Sequence, residues 1–189
     1  MKINANSIRA GNVLEHNGKF CIVTKTPEHT MPGKGGAFVQ VEMKDIKTST
    51  KISQRFRSND NVERVRLDQK EYRFLFTEGD HLHMMDAETF EQISINKSLI
   101  GTKFPYLQDG MIVTIEFHED EPLKIDLPET VVLTVTETEP VVKGQTATSS
   151  YKPAILENGL RIMVPPFVDS NTKIVIKTED ESYVERYKA

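Results

Sequence analysis

A single cysteine, Cys21, in 189 residues rules out an internal disulfide framework, because a bridge needs two thiols. In "GKFCIVTKT" the apolar–polar alternation puts Cys21 on the buried side of a strand, so it is read as a core thiol. No apolar run approaches the roughly 18 residues of a membrane span, and "MKINANSIRAGNVLEHNG" has no apolar h-region. The expectation is a cytoplasmic protein with no membrane partner. Helical periodicity is also scarce. Its best candidate is one or two turns in "SINKSLIG", ended by Gly101. There is no tryptophan, which removes the best stacking group from any nucleic-acid groove.

What remains is β pattern. Short alternating runs recur, among them "KFCIVT", "AFVQVEM", "RFLFT", "IVTIEFH", "VVLTVTET" and "KIVIKT", separated by turn signals such as "NG", "EGD", "QDG" and "ENG". Strands at this spacing imply barrels or sandwiches. The apolar content is spread too thinly for one large core, so an all-β chain of several small barrels is expected. Charge divides the chain in the same way. Residues 1–64 carry net +5, residues 65–127 net −7 and residues 128–189 net −2. An overall pI near 5.8 does not suit a protein that coats nucleic acid, because nonspecific affinity comes from phosphate neutralisation. A basic first third can still face RNA while an acidic middle faces solvent or protein. A plain solubility pattern would look the same.

The most unusual local stretch is "EHTMPGKGGAFVQVEM", where Lys34 stands between Pro32-Gly33 and Gly35-Gly36. If the flanking segments pair antiparallel, residues 28–36 form a loop projecting beyond the sheet. Pro32 would stiffen it, and the three glycines would allow backbone conformations closed to other residues. They would also let the loop enter a narrow slot, with Lys34 as the extended side chain at its tip. An ordinary exposed lysine on a hairpin would present the same pattern. The Walker motif fails here, because it requires glycine where Glu28 stands and Ser or Thr where Gly35 stands. A catalytic lysine would need desolvation or a cationic neighbour, and a glycine-lined tip offers little of either. Elsewhere, His81 and His83 share a strand face near Asp80 and Asp86, but lack a third committed metal ligand. "HEDEP" reads as a hairpin turn. No nucleophile, base and orienting group come together, so neither a catalytic residue nor a metal site is assigned.

Taken together, three motifs in order resemble the bacterial elongation factor P family over essentially the whole chain. They are the tip "PGKG-AF" at residues 32–38, the central "YRFLFTEGDHLHMMDAETFEQ", and the closing series "LPETVVLTVTETEPVVKG", "YKPAILENGLRIMVPPFV" and "SYVERYK". The resemblance implies an SH3-like, KOW-type barrel at 1–64, then two OB-fold barrels at 65–127 and 128–189, in an L-shaped arrangement like tRNA. It implies a non-enzymatic monomer that binds the 70S ribosome between the peptidyl and exit sites and relieves stalling at consecutive prolines. The partners would be peptidyl tRNA carrying proline, ribosomal RNA and lysine-modifying enzymes. Lys34 would reach the CCA end and carry a covalent extension such as β-lysyl, with no other cofactor. Tyr183 and Arg186 match a pair directed at the peptidyl tRNA, although a final barrel strand would also account for them. Gly144 matches a loop near the exit-site codon, but Gln145 stands where the family usually has Asp. The other readings are an elongation factor P-like paralogue, an OB protein for single-stranded nucleic acid, and a Schiff-base enzyme using Lys34.

Overall fold

The computed structural model describes residues 1–31, 33–140 and 150–189. The chain is all-β, with three antiparallel-rich sheets following one another in sequence. The first contains β1 (Lys2–Asn4), β2 (Val13–His16), β3 (Lys19–Val23), β4 (Glu28–Thr30), β5 (Phe38–Asp45), β6 (Lys51–Arg57) and β7 (Asn61–Val65). Its order is β1-β7-β2-β3-β5-β4, with β6 on β5. The second contains β8 (Asp68–Glu78), β9 (His81–Asp86), β10 (Gln92–Asn96), β11 (Ile112–His118) and β12 (Glu121–Asp126), ordered β10-β9-β8-β11-β12. The third contains β13 (Thr130–Thr138), β14 (Lys152–Leu156), β15 (Arg161–Val164), β16 (Lys173–Lys177) and β17 (Ser182–Arg186), ordered β15-β14-β13-β16-β17.

Two compact units emerge from the packing: Met1–Lys70 with Ile115–Lys124, and Glu71–Thr114 with Ile125–Ala189. In the first unit, alternation along β5 buries Val39, Val41 and Met43 and turns Phe38, Gln40 and Glu42 outward. Cys21, Leu14 and Ile8 complete this core, and Cys21 is fully buried as expected. Burial raises the Cys21 thiol pKa, the Asp45 carboxylate adds to the rise, and Lys19 opposes it. The tip of the β11–β12 hairpin belongs to this unit. Its two-residue turn places Glu119 at φ 47° and Asp120 at φ 67°, the left-handed pair that matches strand twist in tight hairpins. His118 lies against the Phe20 ring at 4.6 Å, and Lys47 reaches Glu121 at 3.2 Å.

In the second unit, a core of Val131, Leu133, Val135, Leu156, Val164, Ile174 and Ile176 also takes in Tyr106. Tyr106 arrives on two short 3₁₀ turns, Lys97–Leu99 and Gly101–Tyr106. Gly101 therefore joins the turns, with φ +60°, where the sequence suggested that it ends them. The Tyr106 hydroxyl is enclosed, with no hydrogen-bond partner among the described residues. Burial first, then the charge of the Glu181 carboxylate, push its pKa up to about 12.

One turn design appears twice. At the end of β5, Asp45 accepts from the N–H groups of Lys47 and Thr48 at 2.8 and 3.2 Å, and Ser49 closes the turn at φ 60°. At the end of β9, Asp86 accepts from Glu88 and Thr89 at 2.8 and 3.1 Å, and Phe90 closes it at φ 62°. In each turn the aspartate side chain satisfies backbone donors, which offsets the cost of a left-handed non-glycine residue.

Candidate functional site: the Lys34 hairpin and its root

The Lys34 loop is held by two ladders. β4 pairs with β5 as Glu28↔Gln40, His29↔Val39 and Thr30↔Phe38, and β5 pairs with β6 as Phe38↔Arg57 through Lys44↔Lys51. The antiparallel arrangement expected for the flanking segments is therefore present. At the root, Ser58 donates its N–H to the Ala37 carbonyl at 2.9 Å. Beyond it, residues 33–36 are exposed, as is Met31 at 84%. Lys34 makes no ion pair or hydrogen bond with other described residues. Pro32 lies outside the described residues.

The three glycines differ. Gly36 adopts φ +81°, where an L side chain is strained. Gly33 and Gly35 lie outside the left-handed region, and a Cβ on either would meet nothing within 4 Å. The fold of this chain therefore accounts for Gly36 and leaves Gly33 and Gly35 without an internal reason. Bare backbone on both sides of an extended lysine suits a loop that approaches an outside surface closely.

The cations of the first unit fall into two groups. Lys19 lies 3.9 Å from Asp45, Lys25 2.7 Å from Glu42 and Lys47 3.2 Å from Glu121, while the N-terminal amine pairs with Glu63. Among the described residues, Lys34, Lys51, Arg55 and Arg57 around the loop and β6 have no carboxylate at ion-pair distance, and the same holds for Lys2, Arg9, Lys44, Arg64, Arg66 and Lys70 elsewhere in the unit. The Arg55 guanidinium lies 4.1 Å from the centroid of the Phe38 ring, immediately below the loop. Sequence reasoning did not single out this pair, although the alternation in "KISQRFR" puts Lys51, Ser53, Arg55 and Arg57 on one face.

The remaining predicted residues are dispersed. Tyr183 is half-buried against the core of the second unit, opposite Ile176, and burial is the main cause of its raised pKa. Its structural part in closing the last strand is thus plain. Arg186 is exposed, with its guanidinium 5.2 Å from the Phe167 ring. Gly144 lies outside the described residues. His83 stacks on Phe76 at 4.4 Å and reaches Glu78 at 3.1 Å, so its ring is engaged in local surface contacts. Among the described residues, no helix is long and apolar enough to cross a membrane.

An all-β chain of three successive small sheets belongs to the class of small-barrel folds. Among solved structures, the fold is similar to a eukaryotic translation initiation factor 5A from Methanococcus jannaschii, with TM-score 0.54 and 22% identity. That match covers 68% of this chain and 92% of the other. A translation initiation factor eif-5a family protein from Naegleria fowleri aligns with TM-score 0.56 at 16% identity, over 67% and 98%. In sequence, residues 4–62 match the elongation factor P (EF-P) KOW-like domain, 67–125 the elongation factor P OB domain and 131–186 the elongation factor P C-terminal domain. Elongation factor P of Rickettsia rickettsii (strain Sheila Smith) is 56% identical over 188 residues, covering 100% of both chains, and that of Rickettsia bellii (strain OSU 85-389) is 55% identical over the same span. The chain belongs to the elongation factor P family, and is a translation elongation factor of KOW-like and OB architecture.

Proposed function

We propose that this factor binds the 70S ribosome between the peptidyl and exit sites and speeds peptide-bond formation at consecutive prolines, with Lys34 holding the peptidyl tRNA in a reactive geometry. The supporting observation is the pair Gly33 and Gly35, whose missing side chains serve no contact within the chain and leave Lys34 on bare backbone. Proline carries a rigid ring and a fixed φ, so donor and acceptor meet badly. Positioning alone lowers such a barrier, and requires no proton transfer from the factor. A cationic amine suits the task, because it donates to phosphate and ribose oxygens through charge-assisted hydrogen bonds. On this reading the protein is not an enzyme, acts as a cytoplasmic monomer, and works through barrels at 1–64, 65–127 and 128–189. Arg186 and the Gly144 loop make further tRNA and codon contacts, with Tyr183 supporting Arg186's strand.

Lys34 carries a covalent extension such as β-lysyl in this proposal, because its reach is otherwise limited by one lysine side chain. Peptide mass spectrometry of protein from its native host should find added mass on Lys34. Only unmodified lysine would contradict the extension. Binding to ribosomes should be competed by deacylated tRNA in the exit site. Simultaneous occupancy by both would contradict the proposed location.

A further inference from the structure

The outward face of β5 and β6 has a feature that the Lys34 tip does not explain. Alternation in β6 half-buries Ile52, Gln54 and Phe56 and exposes Ser53, Arg55 and Arg57. The register sets Phe38 beside Arg57 and Gln40 beside Arg55, so a ring and two guanidinium groups meet on one face. They lie at the root of the loop, since Phe38 is the first residue of β5. We propose that this face docks RNA, with Arg55 on Phe38 as its centre and Arg57 the next contact along β6. The inference rests on the ribosome-binding reading above and names the surface that brings Lys34 into register.

Three observations carry it. Both side chains are exposed, and neither guanidinium is used in a hydrogen bond or ion pair among the described residues. The Phe38 ring lies 4.1 Å below Arg55, which holds the guanidinium in place while its in-plane N–H donors remain free for phosphate oxygens. Of the acids near this face, Glu42 is taken by Lys25 at 2.7 Å, and the Asp60 carboxylate accepts from the backbone N–H of Arg57 at 2.8 Å without pairing with its guanidinium. Glu28, opposite Gln40 on β4, is the remaining acid of this row and would repel phosphate. The favoured path therefore runs along β6, where Arg55 and Arg57 stand about 7 Å apart, two strand residues. Unpaired arginines beside an aromatic ring suit single-stranded or splayed RNA, which takes both phosphate contacts and stacking.

The test uses the full-length factor and ribosomes carrying peptidyl tRNA, with affinity measured across a salt series. Arg55→Gln and Arg57→Gln should each weaken binding about tenfold, as expected for a lost charge-assisted bond, and lower the log–log salt slope by about 0.7–0.9. Arg55→Lys should keep the slope and lose only part of the affinity, because the charge remains while the planar stack is lost. Lys177→Gln is the charge control, on a surface pair with Glu179 at 3.5 Å. Lys34→Ala should lower the proline-specific rate at saturating factor while keeping the wild-type salt slope, whereas Arg55→Gln should lower the affinity and the slope, which separates positioning from docking. Equal affinities for Arg55→Gln and Lys177→Gln would overturn this inference and leave the ribosome reading standing, whereas wild-type factor that fails to bind would overturn both. A photoreactive side chain at Ser53, on the same face, should crosslink to RNA. Crosslinks to ribosomal protein alone would show that the face serves a different partner and refute the assignment.

Discussion

Alanine substitutions at the three tip glycines separate the needs of the fold from the needs of function. Gly36 sits at φ +81°, where a Cβ crowds the following carbonyl, so Gly36→Ala should cost about 1–2 kcal/mol. Gly33 and Gly35 have no left-handed φ, and an added Cβ finds open space. Gly33→Ala and Gly35→Ala should therefore leave stability unchanged or raise it by about 0.4–1 kcal/mol, because alanine restricts the unfolded chain more than glycine does. Chemical denaturation of each variant reads these differences directly. The same two variants should nevertheless lower the proline-specific rate on ribosomes, since the added methyl groups meet the surface that the bare backbone approaches. A stability loss above 1 kcal/mol in Gly33→Ala or Gly35→Ala would refute the structural half of the reasoning. Full activity in both would refute the functional half.

Other parts of the fold make sharp predictions as well. Asp45 should contribute to acid resistance. Although burial opposes ionisation most strongly, the N–H bonds from Lys47 and Thr48, with Lys19, outweigh it and hold the carboxyl below its ordinary range. Its stabilising effect is therefore present above the unfolded pKa of about 3.9 and lost as pH falls through the lower folded value. Asp45→Ala should cost about 1–3 kcal/mol at neutral pH by leaving two donors unsatisfied, and its melting temperature should depend less on pH below 4 than the wild type's. Tyr106→Phe should be neutral or stabilising by up to about 1 kcal/mol, because it removes an enclosed hydroxyl with no partner among the described residues. A larger loss in urea titration would show that the hydroxyl is bonded. Cys21 should react with a thiol reagent far more slowly in the native protein than after unfolding, since burial shields it and raises its pKa. Equal rates at pH 8 would contradict that placement.

The strands and their tight turns were legible because a period of two residues needs only local sequence. In β5, "FVQVEMKD" states its buried side residue by residue, and the "NG" at residues 17–18 marks the β2–β3 turn. The packing of His118 on Phe20 was not legible. Those residues are nearly a hundred positions apart, and alternation says which face is apolar without saying what covers it. Left-handed positions were hard to read for a related reason. The sequence suggested glycine freedom at three tip positions, yet only Gly36 uses it, while Ser49 and Phe90 take positive φ under the protection of Asp45 and Asp86. The exposed position of Lys34 at the loop tip was legible from its bare neighbours. The shelf of Arg55 on Phe38 required the β5–β6 register, which brings Phe38 opposite Arg57 across a turn that sequence alone leaves unaligned.

The central claim is that Lys34 positions the peptidyl tRNA. The most direct measurement is the single-turnover rate of peptide-bond formation on a Pro-Pro-Pro message, at saturating native-source factor, compared with Lys34→Ala and with no factor. The account predicts a proline-specific acceleration that falls in Lys34→Ala while the variant still binds the ribosome. Equal acceleration by wild type and Lys34→Ala, or none from the native factor, would contradict it.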